Sequence, residues 1–154
     1  MRRAFVMGSN GPKKYRNLTQ LKYAAHDVNY ISSCLVSPRC NFEVSTPEDD
    51  SDSSQALQQL TNVASSCKSS DTFICYFSGH GSLEKGGDLF LLWHNSSTQN
   101  PLGTALRVSY VMDALEMCKA KNKLLILDCC HAGAAADYKG EGEVNIGDVN
   151  GIKK

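Results

Sequence analysis

Several features common in chains of this size are missing. No C-x-x-C pair occurs among the seven cysteines (34, 40, 67, 75, 118, 129 and 130), which removes the main support for a zinc ribbon or a thioredoxin-like redox site. No G-x-G-x-x-G or Walker-type loop follows any apolar run, so a nucleotide binder would lack its phosphate cradle. Neither charge is in excess, with 16 Lys+Arg against 16 Asp+Glu in 154 residues. That gives no electrostatic reason to expect a nucleic acid or an anionic membrane as partner. No apolar run approaches the roughly 20 residues of a membrane span, and the run at 4–7 stops at Gly8, too short for a signal peptide. An odd cysteine count without a visible leader points to reduced thiols in the cytoplasm, most of them packed as small hydrophobes.

What is present is an ordinary globular composition, 42% hydrophobic and 21% charged. The length suits one domain that buries roughly 70% of its unfolded-chain surface. Residues 3–8 (RAFVMG) read as a short buried strand ended by Gly8, with Gly11 and Pro12 breaking the chain after it. Asn17-Leu18-Thr19-Gln20 has the pattern of an Asn-capped helix start. Leu21, Ala24, Val28, Ile31 and Leu35 then recur at helical spacing as one apolar face, and Pro38 closes the helix. Residues 42–45 suggest a second strand, and the polar run 48–54 a solvated loop. A second amphipathic helix follows, with Ala56, Leu57, Leu60, Val63, Ala64 and Cys67 on one side.

Residues 71–77 (DTFICYF) are a strong strand candidate and run into Ser78-Gly79-His80-Gly81. Residues 88–94 read as a hairpin arm, 95–103 as a loop, and Ser109 as the cap of a third helix carrying Met112, Leu115 and Cys118. Residues 123–127 (KLLIL) read as a buried strand ending in Asp128-Cys129-Cys130-His131-Ala132-Gly133. From Ala134 the chain is Gly- and charge-rich without a period and is expected to be mobile. The expected organisation is a domain over 1–133 and a linker or processed tail over 134–154. Alternating strands and helices predict an α/β three-layer sandwich, with a mainly parallel central sheet and helices on both faces.

Such sheets place their sites outside the carboxyl ends of the strands, where the two oddest segments lie. Neighbouring strands about 4.8 Å apart would set the imidazole of His80 opposite the thiol of Cys130. A thiol is a poor nucleophile until ionised, and a nearby imidazole lowers its pKa and shuttles the proton. The backbone N–H groups of Gly81 and Cys130 are candidate oxyanion donors. The chemistry these groups allow is acyl transfer through a thioester. Strand alternation puts Asp128 and Cys130 on one face and Cys129 with the apolar set on the other.

Tyr76-Phe77-Ser78-Gly79-His80-Gly81 followed by Asp128-Cys129-Cys130-His131-Ala132-Gly133 resembles the caspase-like cysteine peptidases, nearest the metacaspases and orthocaspases. The resemblance implies His80 as general base, Cys130 as nucleophile and Gly81 as oxyanion donor. It also implies a pocket for Arg or Lys built from Asp128 and from Asp27, in the segment Ala24-Ala25-His26-Asp27-Val28. Two carboxylates in a half-buried pocket need a compensating cation, which a basic substrate side chain would supply. Cleavage after Asp would need a basic pocket instead.

The family fold has about two further strands after the nucleophile, so the resemblance implies a large-subunit region whose sheet is completed by a small-subunit segment of the same precursor. The ending Gly151-Ile152-Lys153-Lys154 is what self-cleavage after a basic residue would leave. No cofactor is expected. Calcium activation in metacaspases uses an acid-rich insertion after the histidine, whereas only Glu84 and Asp88 stand here. The expected partners are protein or peptide substrates, with no nucleic acid and no membrane. Two alternatives stay open: a catalytically silent scaffold of the same fold, and a metal site built from His80, Cys129, Cys130 and His131, whose spacing matches no common zinc pattern.

Overall fold

The computed structural model describes residues 1–84 and 86–129 together with the backbone of 145–147. In chain order the elements are β1 (Arg2–Ser9), β2 (Lys14–Tyr15), β3 (Leu18–Thr19), α1 (Ala24–Val36), β4 (Glu43–Ser45), α2 (Ser53–Ser65) and β5 (Thr72–Gly79). They continue with β6 (Gly81–Leu83), β7 (Leu89–Leu91), α3 (Pro101–Thr104), β8 (Leu106–Arg107), α4 (Val108–Met117), β9 (Asn122–Asp128) and β10 (Asn145–Gly147).

The main sheet has the order β10-β9-β5-β1-β4, and every pairing in it is parallel. Its three long strands alternate with a period of two, but both faces are apolar. Phe5, Met7, Phe73, Cys75, Phe77, Leu125 and Leu127 point to one side, where Ala56, Leu60 and Ala64 of α2 and Val111 and Leu115 of α4 cover them. Ala4, Val6, Tyr76 and Ile126 point to the other, under Val28, Ile31 and Leu35 of α1. A parallel sheet buried on both faces needs continuous hydrophobic strands, which is why residues 73–77 and 124–127 carry so little polarity. Burying each such Phe or Leu contributes roughly 1.5–3 kcal/mol. The α/β sandwich with helices on both faces is therefore the observed architecture. Among the described residues no helix is long and apolar enough to cross a membrane.

Three local expectations are corrected. Asn17 does not cap a helix: Leu18 and Thr19 pair antiparallel with Tyr15 and Lys14, and Arg16 makes the turn with φ of 51°. Burial of Tyr15 against Phe90, Leu92 and Leu18 outweighs the local capping pattern, and the Gln20 amide donates to the Gly11 carbonyl instead. α1 starts at Ala24 with no cap from its own preceding side chain, while Asn10 Oδ1, from the loop after β1, accepts from the Ala25 N–H. Ser109 does not cap α4 either, because the helix begins one residue earlier, after Arg107. Residues 95–103 contain the start of α3, which Asn100 caps through the Gly103 N–H. At α2 the polar run ends in a reciprocal capping box between Asp52 and Gln55.

Two further facts aim the strands at one place. β5 and β9 are neighbours in register, Ser78 beside Asp128. Gly8 lets α1 lie against β1, since a Cβ there would fall 2.7 Å from Val28 Cγ2 and 2.8 Å from the Ser78 carbonyl oxygen. That close approach brings the first turn of α1, with Asp27, over the end of β5.

Candidate active site

A cavity of about 290 Å³ opens at the carboxyl ends of β5 and β9. Its walls are residues 21–24 before and at the start of α1, Asp27, residues 78–80, Asp128 and Cys129. The structure thus brings His80, Asp27 and Asp128 together around one hollow. Gly81 is the next residue after His80 and is buried in β6 opposite Leu91; it does not line the cavity. Cys130 and His131 lie outside the described residues. Cys129 packs with Leu125 and Leu127 at the edge of the core, where it also forms part of the cavity wall.

His80 sits between β5 and β6, half-buried. Its own carbonyl accepts from the Leu92 N–H at 2.9 Å, and its Nε2 lies 2.7 Å from the Thr19 carbonyl oxygen. A carbonyl can only accept, so this contact assigns the ring proton to Nε2 and leaves Nδ1 with a free lone pair whenever the ring is neutral. Gly79 precedes it because nothing larger fits: a Cβ there would stand 2.6 Å from Phe77 Cζ and 2.8 Å from the Ser9 carbonyl oxygen.

The acidic side of the cavity is held by two hydroxyls. Ser78 Oγ donates to Asp27 Oδ2 at 2.9 Å, and the Tyr76 hydroxyl donates to Asp128 Oδ2 at 3.5 Å. Among the described residues neither carboxylate has an ion-pair partner within 4 Å, although Lys22 stands in the cavity wall. The Tyr76 phenol is pushed up to about 12, first by burial and then by the negative charge of Asp128 and, more weakly, of Asp27. Sequence reasoning missed the roles of Thr19, Tyr76 and Ser78. Only Ser78 left a signal, its place in the Ser-Gly-His-Gly run.

Among the described residues no group of three or more His, Cys, Asp or Glu side chains could hold a metal ion. Glu84 takes hydrogen bonds from Arg16, Tyr15 and Ser82, and Asp88 pairs with Arg107.

The remaining thiols set the background for any test of Cys130. Cys75 is pushed up to about 12 by burial, and Cys67 to about 12 by burial and the neighbouring Cys118. Cys34 is exposed. Treating the native chain with iodoacetamide at pH 7.5 and mapping peptides should find Cys34 modified at an ordinary rate. Cys67 and Cys75 should lag by about 10³-fold or more, because so little of either is thiolate.

A protein-family profile, the caspase domain, matches residues 1–150. A search of curated proteins finds no match. Among solved structures the chain is similar to protein GSU0716 from Geobacter sulfurreducens, with a TM-score of 0.62 at 17% sequence identity. That match covers 84% of this chain and 50% of the Geobacter chain, so the chain spans half the length of that protein. At such identity the likeness shows the fold. The profile, over nearly the whole chain, goes further: the chain belongs to the caspase domain family of cysteine peptidases.

Proposed function

We propose that the chain carries the catalytic dyad and basic-residue pocket of a cysteine endopeptidase that cuts proteins after Arg or Lys. The observation that carries this reading is the cavity lined both by His80 and by two carboxylates, Asp27 and Asp128, that have no ion-pair partner among the described residues. In the proposed reaction His80 Nδ1 takes the proton of the Cys130 thiol, and the thiolate adds to the scissile carbonyl. The N–H groups of Gly81 and Cys130 receive the oxyanion. Collapse expels the amine, which takes the proton back from His80, and water then hydrolyses the thioester with His80 as base. The side chain before the cut bond enters the cavity, where its charge compensates Asp27 and Asp128. No metal or cofactor takes part in this scheme.

The branch resembled is the metacaspases and orthocaspases. The same pocket would accept a basic residue of the precursor itself, so maturation by self-cleavage belongs to the reading, as does a small-subunit segment that completes the sheet. The test is covalent labelling with an arginyl chloromethyl ketone beside its aspartyl analogue, read by peptide mass spectrometry. Labelling confined to Cys130 and absent with the aspartyl reagent is expected. Slow, even labelling of several cysteines by both reagents would overturn the reading in favour of a silent scaffold.

A further inference from the structure

We propose that Glu84 is a positioning residue for His80, acting through the β2–β3 hairpin. Its carboxylate fastens the hairpin to β6 and thereby holds the Thr19 carbonyl against the imidazole. The inference rests on the reading of His80 as the general base.

The connection is short and closed. β6 begins at the residue after His80, and Glu84 follows its last residue. Glu84 Oε2 accepts from Arg16 Nη2 at 2.7 Å, while Oε1 accepts from Ser82 Oγ at 2.9 Å and the Tyr15 hydroxyl at 3.2 Å. Its backbone is equally fixed: its N–H donates to the Asp88 carbonyl, and its carbonyl accepts from the Gly87 N–H. Tyr15 and Arg16 are the last residue of β2 and the turn. From there the register Tyr15 to Leu18 and Lys14 to Thr19 leads directly to the carbonyl that meets His80 Nε2. The chain of links therefore leaves His80 along β6 and returns to its ring through the hairpin.

The hairpin needs such a fastening. Each strand has two residues, and an isolated two-stranded hairpin is marginal in water. Tyr15 and Leu18 supply apolar docking against Phe90 and Leu92, but that contact does not set the height of Thr19 above the ring. Gln20 Nε2 and the Leu21 N–H tie the chain after Thr19 to the Gly11 and Asn10 carbonyls, and the carboxylate ties the other end of the hairpin, because it binds side chains from both pieces at once. Burial would raise the Glu84 pKa, yet the hydrogen bonds from Arg16, Ser82 and Tyr15 and the charge of Arg16 together hold it below the usual carboxylate value. The group is thus ionised at neutral pH, with Arg16 as its counter-ion and Tyr15, whose phenol is raised first by burial and then by Glu84, as a neutral donor.

The test uses the full chain with ring-labelled histidine, comparing wild type, Glu84→Ala, Glu84→Gln and the charge swap Arg16→Glu with Glu84→Arg; His80→Asn assigns the His80 signals. In the wild type the His80 Nε2–H proton should be protected from solvent exchange. In Glu84→Ala that protection should be lost, and the rate of Cys130 labelling by the arginyl reagent should fall by roughly 10- to 100-fold, as a misplacement transmitted from outside the reacting groups does. The swap should recover part of both. Glu84→Gln keeps the shape and one accepting oxygen, and carries the test should Glu84→Ala fail to fold. A protected Nε2–H in Glu84→Ala, or in Glu84→Gln should Glu84→Ala fail to fold, would overturn the inference, whatever the labelling rate. Loss of protection in Glu84→Ala beside wild-type labelling in His80→Ala would leave the positioning standing and remove the dyad instead.

Discussion

Replacing His80 with alanine should slow alkylation of Cys130 by the arginyl reagent by about 10²-fold, and hydrolysis of an arginyl peptide by about 10³- to 10⁴-fold. The two losses differ because the reactions ask different things of the imidazole. Alkylation needs only a thiolate: sulfur displaces chloride, and no proton has to be returned. Without a neighbouring base the thiol keeps a pKa of about 8.5, so at pH 7.5 roughly a tenth is ionised. Loss of approach geometry adds the remainder. Peptide hydrolysis also needs a proton delivered to the departing amine, which in the proposed scheme comes from His80. Residual alkylation in the variant should climb about tenfold per pH unit up to the thiol pKa, a slope the wild type should not show. Equal rates in wild type and variant, or a variant profile parallel to the wild type, would remove His80 from the chemistry. Unfolding is a weak alternative explanation, since His80 is half-buried and among the described residues its ring has one hydrogen-bond partner, the Thr19 carbonyl.

What the sequence disclosed follows from how local each cause is. The sheet was readable because Phe73, Cys75 and Phe77 on one face and Ile74 and Tyr76 on the other must all be apolar in a strand covered on both sides. The pairing of β5 with β9 was not readable from burial, which both strands share with β1; the structure supplies it and delivers Asp128 beside Ser78. Asp27 came from the family pattern, and its place over β5 depends on Gly8, whose missing Cβ admits α1. The Asn17 to Gln20 stretch misled because a capping pattern is a contest within a few residues, whereas the fate of Tyr15 is decided by Phe90 and Leu92, some 75 positions away. A comparable separation, 61 positions, hid Thr19: the group that meets His80 is a backbone carbonyl, which leaves no mark on residue type. Cys130 itself lies outside the described residues, and its proposed role is read from the Asp128-Cys129-Cys130-His131 motif.

Asp128→Asn should cut arginyl labelling of Cys130 by roughly 30- to 5,000-fold, the range expected when one partner of a desolvated charge pair is removed, while leaving the melting temperature unchanged or slightly raised. The reason lies in the two carboxylates of the cavity wall. Asp27 and Asp128 each have one oxygen, Oδ2, on a hydroxyl, and among the described residues neither has an ion-pair partner. Two like charges partly out of water are a cost to the free protein, and asparagine removes one of them at constant shape while still accepting from Tyr76. A substrate guanidinium repays that cost only when both carboxylates are present. A citrullyl reagent, neutral and nearly isosteric with the arginyl one, should therefore label wild type and variant alike. The Tyr76 phenol gives an independent readout, because its pKa, pushed up to about 12 by burial and then by Asp128, should fall when the charge goes; a difference titration at alkaline pH follows it. Asp27→Asn should lose labelling similarly but with a small loss of stability, since Asp27 lies in the first turn of α1, where a negative charge is worth about 0.3–1 kcal/mol against the helix dipole. Should Asp128→Asn lose stability and leave the arginyl preference intact, the carboxylate would be a structural group and basic specificity would have to be sought elsewhere. A lost preference in a protein no less stable would identify a pocket whose electrostatic strain is relieved by the substrate's charge.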